Sequence, residues 1–264
     1  MQQLFENLWV DYLKLTQDAE RIHQLFSNLG ENIINDHIAL RTFNRGKANL
    51  DQIAKFLESY SYFPVEEYHF EAKKLRAYHF ENKFNEKSPK IFVSELLLEQ
   101  MPDNVQDICN RLINEGDKFI DENGLSLPMM PWNTITKEEY LELRSESEYA
   151  AWLATFGLRA NHFTVSVNEL KGFSTLESVN QFLKDNDFAL NTSGGEVKGS
   201  KEVCLKQSST MANIVNWSFS NGEMEVRSCF YEFAERFKLP NIDSLYHGFV
   251  AASADKIFES TNAA

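Results

Sequence analysis

The chain has 264 residues, of which 43% are hydrophobic and 25% are charged, a balance typical of globular proteins with a packed core. Its formal net charge of −13 argues against nucleic acid as a partner, because nucleic-acid recognition needs a basic surface. No apolar run reaches the roughly 18–20 residues that cross a membrane, and no basic-then-apolar signal segment opens the chain. The three cysteines have no CxxC spacing, so we expect neither a disulfide framework nor a structural zinc site, and the sequence fits a reducing cytoplasm.

Helix and strand patterns alternate along the first hundred residues. Apolar residues spaced near 3.6 over residues 4–29 predict one or two amphipathic helices. The stretch Asn35–Phe43 predicts a strand, and His37 and Arg41 lie on the same face of it because side chains alternate along a strand. One helix and three strands follow, with Glu95 in the last strand; they are predicted near residues 50–57, 63–70, 75–80 and 91–98.

The pattern changes over residues 103–158 and then returns. Two helices are predicted in this connector, near residues 105–115 and from a capping box at Thr136 to about residue 154. His162 then lies near the start of a new strand. A helix and three strands follow, with an Asn221-Gly222 hairpin turn between the last two; they are predicted near residues 176–183, 203–207, 214–219 and 226–233.

The two halves therefore share one order of elements: a strand with a histidine, a helix, and three strands of which the last carries a glutamate. Three pairs of segments match in sequence: residues 36–40 with 161–165, 50–57 with 176–183, and 93–96 with 230–233. Internal duplication is the simplest explanation. Two such modules would bring His37, Glu95, His162 and Glu232 into one cleft.

These four side chains predict a metal centre. Two neutral imidazoles and one carboxylate, with coordination positions left open, form the donor set that suits non-haem Fe(II), although Mn, Co, Ni or Zn could use the same atoms. Glu232 is the favoured carboxylate, because an unpaired carboxylate in an apolar strand is costly to bury and a metal would resolve that cost. Three roles stay open for Glu95: a fourth ligand, an acceptor for a ligand histidine, or a remnant of the duplication.

The motifs at residues 35–43 and 231–236 resemble those of the 2-oxoadipate dioxygenase/decarboxylase (2-hydroxyglutarate synthase) family of the vicinal oxygen chelate superfamily. The segments at residues 93–96 and 253–261 agree with this resemblance, which covers most of the chain. It implies an α+β fold in which two βαβββ modules form a half-open barrel, with helices added at the N-terminus, between the modules and at the C-terminus. We expect a single compact unit over residues 1–264, divided into modules at 35–100 and 160–236, a helical connector at 101–159 and a C-terminal extension at 237–264.

The resemblance also implies roles for individual residues. Fe(II) would be held by His37, His162 and Glu232, and Arg41 would grip a carboxylate of the substrate. A 2-oxo acid can chelate iron through its keto oxygen and adjacent carboxylate and leave a position for O2. With 2-oxoadipate as substrate, decarboxylation and hydroxylation of the same molecule would yield 2-hydroxyglutarate and CO2.

Three further cations or polar residues are candidates for the substrate site. Lys198 and Gln207 lie on the part of the second module that we expect to face the cleft. Arg236 could be a second cation for the substrate or a surface residue at a helix end. Each cation near the cleft is informative, because the acidic chain as a whole does not attract a carboxylate substrate.

Two other functions stay open on the sequence. The first keeps the fold and metal but makes the protein a glyoxalase-like isomerase, lyase or hydrolase, which four ligands including Glu95 and a bound zinc or nickel would favour. The second is a non-catalytic protein of the same fold that binds a small molecule.

Overall fold

A computed structural model describes residues 2–240 and 243–261. Residues 241–242 and 262–264 of the predicted C-terminal extension lie outside the described residues, as does Met1. The predicted N-terminal helical region forms two helices, α1 (Gln2–Leu13) and α2 (Gln17–Asn28). Within the described residues, no helix is long and apolar enough to cross a membrane.

The first module contains one helix and four strands. Its helix α3 begins after Asn49, whose side chain accepts a hydrogen bond from the backbone N–H of Gln52 and so satisfies one of the free donors of the first turn. The bounds are β1 (Asn35–Phe43), α3 (Leu50–Glu58), β2 (Tyr62–Phe70), β3 (Leu75–Asn82) and β4 (Lys90–Leu96).

The connector contains three helices, α4 (Asp103–Asn123), α5 (Lys137–Glu146) and α6 (Glu148–Phe156). The predicted capping box at Thr136 is present at the start of α5. The single helix predicted from there is divided in two, because Ser147 is extended and its side chain caps the first turn of α6 by accepting from Ala150 N.

The second module repeats the first with one insertion. Its elements are β5 (Ala160–Ser166), α7 (Leu176–Asp185), β6 (Lys198–Ser200), β7 (Leu205–Ser209), β8 (Ile214–Phe219), β9 (Gly222–Arg227) and β10 (Phe230–Arg236). The strand predicted near residues 226–233 is in fact two strands, β9 and β10. Strands β8 and β9 pair only with each other, so the predicted strand near residues 214–219 belongs to an inserted hairpin and not to the barrel.

The remaining eight strands form one sheet that curls into a half-barrel, as predicted. Their order is β2-β3-β4-β1-β5-β10-β7-β6, so each module supplies four adjacent strands and the two sets are mirrored about the β1–β5 pair. That central pair is antiparallel, whereas β1 pairs with β4, and β5 with β10, in parallel. A helix α8 (Ala251–Ile257) follows in the C-terminal extension.

Strand pairing fixes how the two modules correspond. In the first module His37 lies opposite Lys90 on the neighbouring strand, and in the second module His162 lies opposite Phe230. If the two histidines are equivalent, then Lys90 and Phe230 are equivalent too.

This register corrects the alignment made from the sequence. Counting along β4 and β10 from those positions, Phe92 corresponds to Glu232, and Glu95 corresponds to Glu235. The match of residues 93–96 with 230–233 is therefore wrong by three residues. That match relied on a glutamate flanked by apolar residues. Such a pattern does not determine which residues of neighbouring strands pair with each other.

The two faces of the sheet have different surroundings. On the outer face, Phe163 and Tyr231 pack against Trp9 and Tyr12 of α1. Their immediate neighbours in sequence, among them His162, point to the inner face because side chains alternate along a strand. The inner face of the half-barrel therefore carries the candidate site.

Candidate metal centre

Three of the predicted ligands converge on the inner face of the sheet. His37, His162 and Glu232 are 2%, 5% and 0% exposed, and each offers one ligand atom within 4.8 Å of the other two. Among residues 2–240 and 243–261 they form the one group of three or more His, Cys, Asp or Glu side chains that could hold a metal ion. They come from β1, β5 and β10, three neighbouring strands at the centre of the sheet.

Both imidazoles direct Nε2 toward the carboxylate. His162 Nε2 lies 3.1 Å from Oε2 of Glu232, and His37 Nε2 lies 3.6 Å from Oε1. The two rings are nearly perpendicular, with centroids 5.6 Å apart. Thr164 Oγ1 also lies 3.1 Å from His37 Nε2.

The other ring nitrogen of each histidine has a side-chain partner from the preceding residue. His37 Nδ1 lies 2.8 Å from Asp36 Oδ1, and His162 Nδ1 lies 3.1 Å from Asn161 Oδ1. An oxygen at Nδ1 favours the tautomer that carries its proton there, which leaves the Nε2 lone pair free for a metal. On the β1 side a bulge opposite β5 contains Asp36, and bulges commonly redirect side chains beside active sites.

Burial sets the protonation of this group. Desolvation lowers the pKa of both histidines, and His37 and Arg41 lower that of His162 further. Desolvation also raises the pKa of Glu232 to about 8, although the hydrogen bond from Gln207 opposes this rise. Neutral imidazoles are the form that binds metals, and a divalent cation would offset the cost of an ionised, buried carboxylate.

Unpaired polar atoms provide a second test of whether a metal fits. Oε2 of Glu232 is fully buried and has no hydrogen-bond partner. Oε1 accepts a hydrogen bond of 2.6 Å from Gln207 Nε2, while Oε1 of Gln207 is itself buried and unpaired. Because buried polar atoms are seldom left without partners, the unpaired oxygen of a carboxylate that faces two imidazoles fits a cation.

The cleft around these atoms is narrow and mostly apolar. Its free volume is about 20 Å³. Besides the three candidate ligands it is lined by Gln207, Phe92, Phe249, Ala254, Ile257 and Phe258. The last four belong to the C-terminal segment, residues 243–261, which therefore forms a wall of the cleft.

Arg41 lies beside the cleft in an aromatic cage. It is only 2% exposed, and its Cζ lies 4.9 Å from the ring centroids of both Tyr149 and Trp152 and 5.6 Å from that of Phe258. Phe258 also lines the metal cleft. The phenyl ring therefore contacts both the guanidinium and the cleft.

The guanidinium of Arg41 is only partly engaged. Nη1 donates to Oε1 and Oε2 of Glu148 at 3.1 and 3.3 Å, and Nη2 donates to Thr261 Oγ1 at 3.4 Å. Nε is buried and has no partner. One donor of a buried cation next to the cleft is thus available for an anionic group.

Lys198 and Gln207, the other predicted substrate contacts, face each other across the β6–β7 pair. Gln207 is in the cleft, and its amide holds Glu232. Lys198 is buried next to it but donates to the backbone carbonyl groups of Asn191 and Glu196. Desolvation lowers the pKa of Lys198 to about 8, with Glu232 acting in the opposite direction.

Glu95 does not join the metal group. It lies on the opposite face of β4 from Phe92, where Oε2 accepts from the backbone N–H of Leu50 at 3.1 Å and Oε1 accepts from Arg76 Nε at 2.8 Å. The prediction of Glu95 as a fourth ligand or an acceptor for a ligand histidine is corrected on this ground. Its carboxylate caps α3 and pairs with an arginine.

Two features of the site were not assigned from the sequence: the ion pair of Arg236 with Asp36, and the role of Asp36 and Asn161 as acceptors for the histidines. Arg236 is buried and pairs with Asp36, so its interpretation as a surface residue at a helix end is wrong. Burial alone would raise the pKa of Asp36, but Arg236 and His37 hold it well below its usual range. A polar residue directly before each histidine, Asp36 and Asn161, was the signal in the sequence that could have identified these acceptors.

Comparison with known proteins shows the family to which the chain belongs. A sequence profile described as 2-oxoadipate dioxygenase/decarboxylase matches residues 8–243. The chain belongs to the 2-oxoadipate dioxygenase/decarboxylase family. Family members with that enzyme name include a chloroplastic protein of Arabidopsis thaliana, 37% identical over 86% of this chain and 67% of its own length. A chloroplastic/amyloplastic protein of Oryza sativa subsp. japonica is 34% identical over 98% of this chain and 78% of its own length.

Solved structures agree with this family and fold. The crystal structure of hydroxyglutarate synthase from Oryza sativa in complex with 2-oxoadipate is 33% identical, covers 98% of this chain and 91% of its own, and has a TM-score of 0.91. A Shewanella frigidimarina NCIMB 400 protein, provisionally described as a hydrolase, is 50% identical over 95% of this chain and 98% of its own, with a TM-score of 0.85. A Ralstonia eutropha JMP134 protein, provisionally placed in the glyoxalase superfamily, shares the fold at 19% identity, with coverage of 92% and 83% and a TM-score of 0.73.

Proposed function

We propose that this family member is an Fe(II)-dependent enzyme that converts 2-oxoadipate and O2 to 2-hydroxyglutarate and CO2. The observation that carries the proposal is the buried group of His37, His162 and Glu232, in which a carboxylate with one oxygen that lacks a hydrogen-bond partner faces two neutral imidazoles. Support for the substrate comes from the names of the curated relatives and from the rice structure that contains 2-oxoadipate.

The metal ligands would be His37 Nε2, His162 Nε2 and the Glu232 carboxylate. Bound Fe(II) would supply the redox chemistry for O2 and accept the keto and adjacent carboxylate oxygens of the substrate. The reaction balances without a second organic substrate: C1 leaves as CO2, one oxygen atom of O2 completes a new carboxylate at the former keto carbon, and the other becomes the neighbouring hydroxyl.

Protein groups around the ligands hold them in the required state. Asp36 and Asn161 fix the protons of their histidines on Nδ1, and Gln207 donates to one oxygen of Glu232 and fixes the plane of its carboxylate. Such partners of ligand side chains orient them and tune their basicity. The apolar wall of Phe92 and the C-terminal segment excludes water from the reacting carbon.

Arg41 is the proposed site for the distal carboxylate of the substrate. It lies four residues after His37 on the same face of β1, and its free Nε and weakly held Nη2 form one edge of the guanidinium. An arginine edge matches a carboxylate in charge and in shape. Lys198 and Gln207 are proposed as additional contacts of the substrate, since Gln207 lines the cleft and Lys198 pairs with it across the β6–β7 strands.

Two features weigh against the alternative functions. Glu95 is engaged elsewhere, which removes the four-ligand site that would favour a glyoxalase-like isomerase, lyase or hydrolase. Membership in a family of enzymes weighs against a protein that only binds a small molecule. We also propose a cytoplasmic location, in line with three free and buried cysteines; the two curated relatives are named as plastid proteins.

The test is to load the protein with Fe(II) without oxygen, add 2-oxoadipate and O2, and measure O2 uptake, CO2 release and 2-hydroxyglutarate. We expect the three quantities to rise in equal amounts. Glu232→Gln is the inactive control. A 2-oxo acid of the same length without the distal carboxylate should react much more slowly. Absence of O2 uptake with every 2-oxo acid tried, in protein that has bound iron, would overturn the proposal.

A further inference from the structure

Arg236 and Asp36 form a buried ion pair across the centre of the sheet. Arg236 Nε donates to Asp36 Oδ2 at 2.6 Å, and Nη2 donates to Oδ1 at 2.8 Å. Both side chains are about 5% exposed or less. Arg236 lies at the end of β10 and Asp36 in the bulge of β1, so the pair spans β5, which separates these two strands.

The Arg236–Asp36 pair gives His37 a different acceptor at Nδ1 from that of His162. Asp36 Oδ1 also faces His37 Nδ1 at 2.8 Å, which gives this histidine a charged acceptor with a guanidinium behind it. The equivalent acceptor of His162 is the neutral amide of Asn161, at 3.1 Å. The position equivalent to Arg236 in the first module is Leu96, so this arrangement is absent from the other half.

The opposite edge of the same guanidinium holds the C-terminal segment. Arg236 Nη1 donates to the backbone carbonyl groups of Tyr246 and Gly248 at 2.9 and 2.8 Å. The next residue, Phe249, places its ring edge-on to His37 with centroids 4.8 Å apart, and the Arg236 Cζ lies 5.3 Å from that ring. One arginine therefore controls both the acceptor of His37 and the ring that packs on it.

We propose that Arg236 is a positioning residue that couples the orientation of His37 to the closure of the C-terminal segment over the cleft. This inference rests on the metal-binding function proposed above. Through Asp36 the guanidinium fixes the rotation of the imidazole, and through the carbonyl groups at residues 246 and 248 it fixes Phe249 as a wall of the cleft. Release of either edge removes a constraint on His37.

The test exchanges the arginine for lysine. Arg236→Lys keeps the positive charge but lacks the planar fork that reaches two carboxylate oxygens and two carbonyl groups at once. The matched control is Arg76→Lys, because Arg76 forms a similar pair with Glu95 (2.8 and 2.7 Å) away from the candidate ligands. Two quantities are measured: Co(II) affinity by competition with a chelator, and amide hydrogen exchange over residues 246–250 in metal-free protein.

We expect Arg236→Lys to weaken Co(II) binding by roughly 10–100-fold, the usual effect of losing a partner of a ligand side chain, and to accelerate exchange over residues 246–250. Arg76→Lys should leave both quantities within about twofold of wild type, a margin inside the usual scatter for sites without shared partners. Asp36→Asn is a second variant that copies Asn161: it should accelerate exchange as well, with a smaller loss of Co(II) affinity, and it carries the test if Arg236→Lys does not fold.

Unchanged affinity and exchange in folded Arg236→Lys and Asp36→Asn would overturn the inference, and so would equal losses in Arg76→Lys. Failure of the wild-type protein to bind Co(II) would instead overturn the proposed metal function. The exchange measurement on metal-free protein would then still decide whether Arg236 holds the C-terminal segment.

Discussion

Glu95 and Glu235 hold the same position in the two modules, and each accepts a hydrogen bond from the first backbone N–H of its module's helix. The acceptor distances are 3.1 Å from Leu50 N and 2.9 Å from Leu176 N. Each carboxylate thus bonds one of the free amides of a helix start and lies at the positive end of the helix dipole.

This equivalence predicts a pair of matched stability effects. We expect Glu95→Ala and Glu235→Ala each to lower the free energy of unfolding by about 1–2 kcal/mol, as for the loss of a helix cap. The Arg76 partner of Glu95 is partly exposed, so its ion pair adds little to this figure. Denaturant unfolding measures the effect, and metal content should stay at the wild-type level in both. Loss of metal in Glu95→Ala alone would show that Glu95 is a metal ligand.

Arg41 should act on the substrate and not on the metal. We expect Arg41→Ala to raise KM for 2-oxoadipate by roughly 100-fold, because the distal carboxylate loses a buried, charge-assisted partner. Iron content, measured after anaerobic loading, should stay close to wild type. The control is a 2-oxo acid without the distal carboxylate, which the variant and wild type should turn over at similar rates. Iron loss that parallels the loss of turnover would show that Arg41 has been given the wrong role.

Gln207 should tune the affinity for metal through Glu232. In Gln207→Leu the carboxylate loses its 2.6 Å hydrogen bond, and we expect Co(II) or Fe(II) to bind about 10–100-fold more weakly. The neighbouring Ser208 points to the other face of β7, where it donates to Asn180, so Ser208→Ala is the control. Equal metal affinity in Gln207→Leu and wild type would contradict this role.

In metal-free protein, the burial of Glu232 should make the stability of the folded state depend on pH. Its pKa is about 8 in the fold, against an ordinary value of 4.5, so between these values the unfolded chain has released the proton while the folded protein still holds it. The folded state binds more protons in this window, and its stability therefore falls as pH rises from about 4.5 to about 8.

Thermal unfolding of chelator-treated protein across that pH range measures the effect. Metal-free Glu232→Gln should show a flatter pH dependence and a higher Tm than wild type at pH 8. Excess divalent metal should raise the Tm of wild type, since it binds only the folded state, and should leave Glu232→Gln almost unchanged. Parallel pH profiles for the two metal-free proteins would rule out Glu232 as the source of the dependence.

Local sequence patterns predicted much of the fold and the core of the site. The β1 strand, the Thr136 capping box and the two repeated modules depend on periodicity and on interactions within a few residues, so they could be predicted from the sequence. The three-residue error at Glu95 arose because strand register depends on backbone pairing between distant segments, which an apolar-Glu-apolar pattern does not specify. The hairpin turn at Asn221-Gly222 was predicted, but the separation of β8 and β9 from the eight-stranded sheet was missed for a similar reason.

The ion pairs of the two arginines near the ligands could not be predicted, because each pair joins residues far apart in sequence. Arg236 and Asp36 are separated by 200 residues, and Arg41 and Glu148 by 107. Nothing in the chain near either arginine shows that it is buried or paired. The metal donor set could be predicted, because histidine and glutamate in apolar strands are costly to bury without a partner, and a metal ion is such a partner.

The equivalence of Phe92 and Glu232 has a consequence for the number of ligands. A fully symmetric pair of modules would place four protein ligands in the cleft, two from each half, and a metal held by four side chains has fewer positions left for a chelating acid and for O2. In this chain a phenyl ring stands where the fourth carboxylate would be. This one departure from symmetry would therefore leave coordination positions open for both reactants, which four protein ligands would occupy in part. Phe92→Glu is the single substitution that would restore the symmetric set of four ligands.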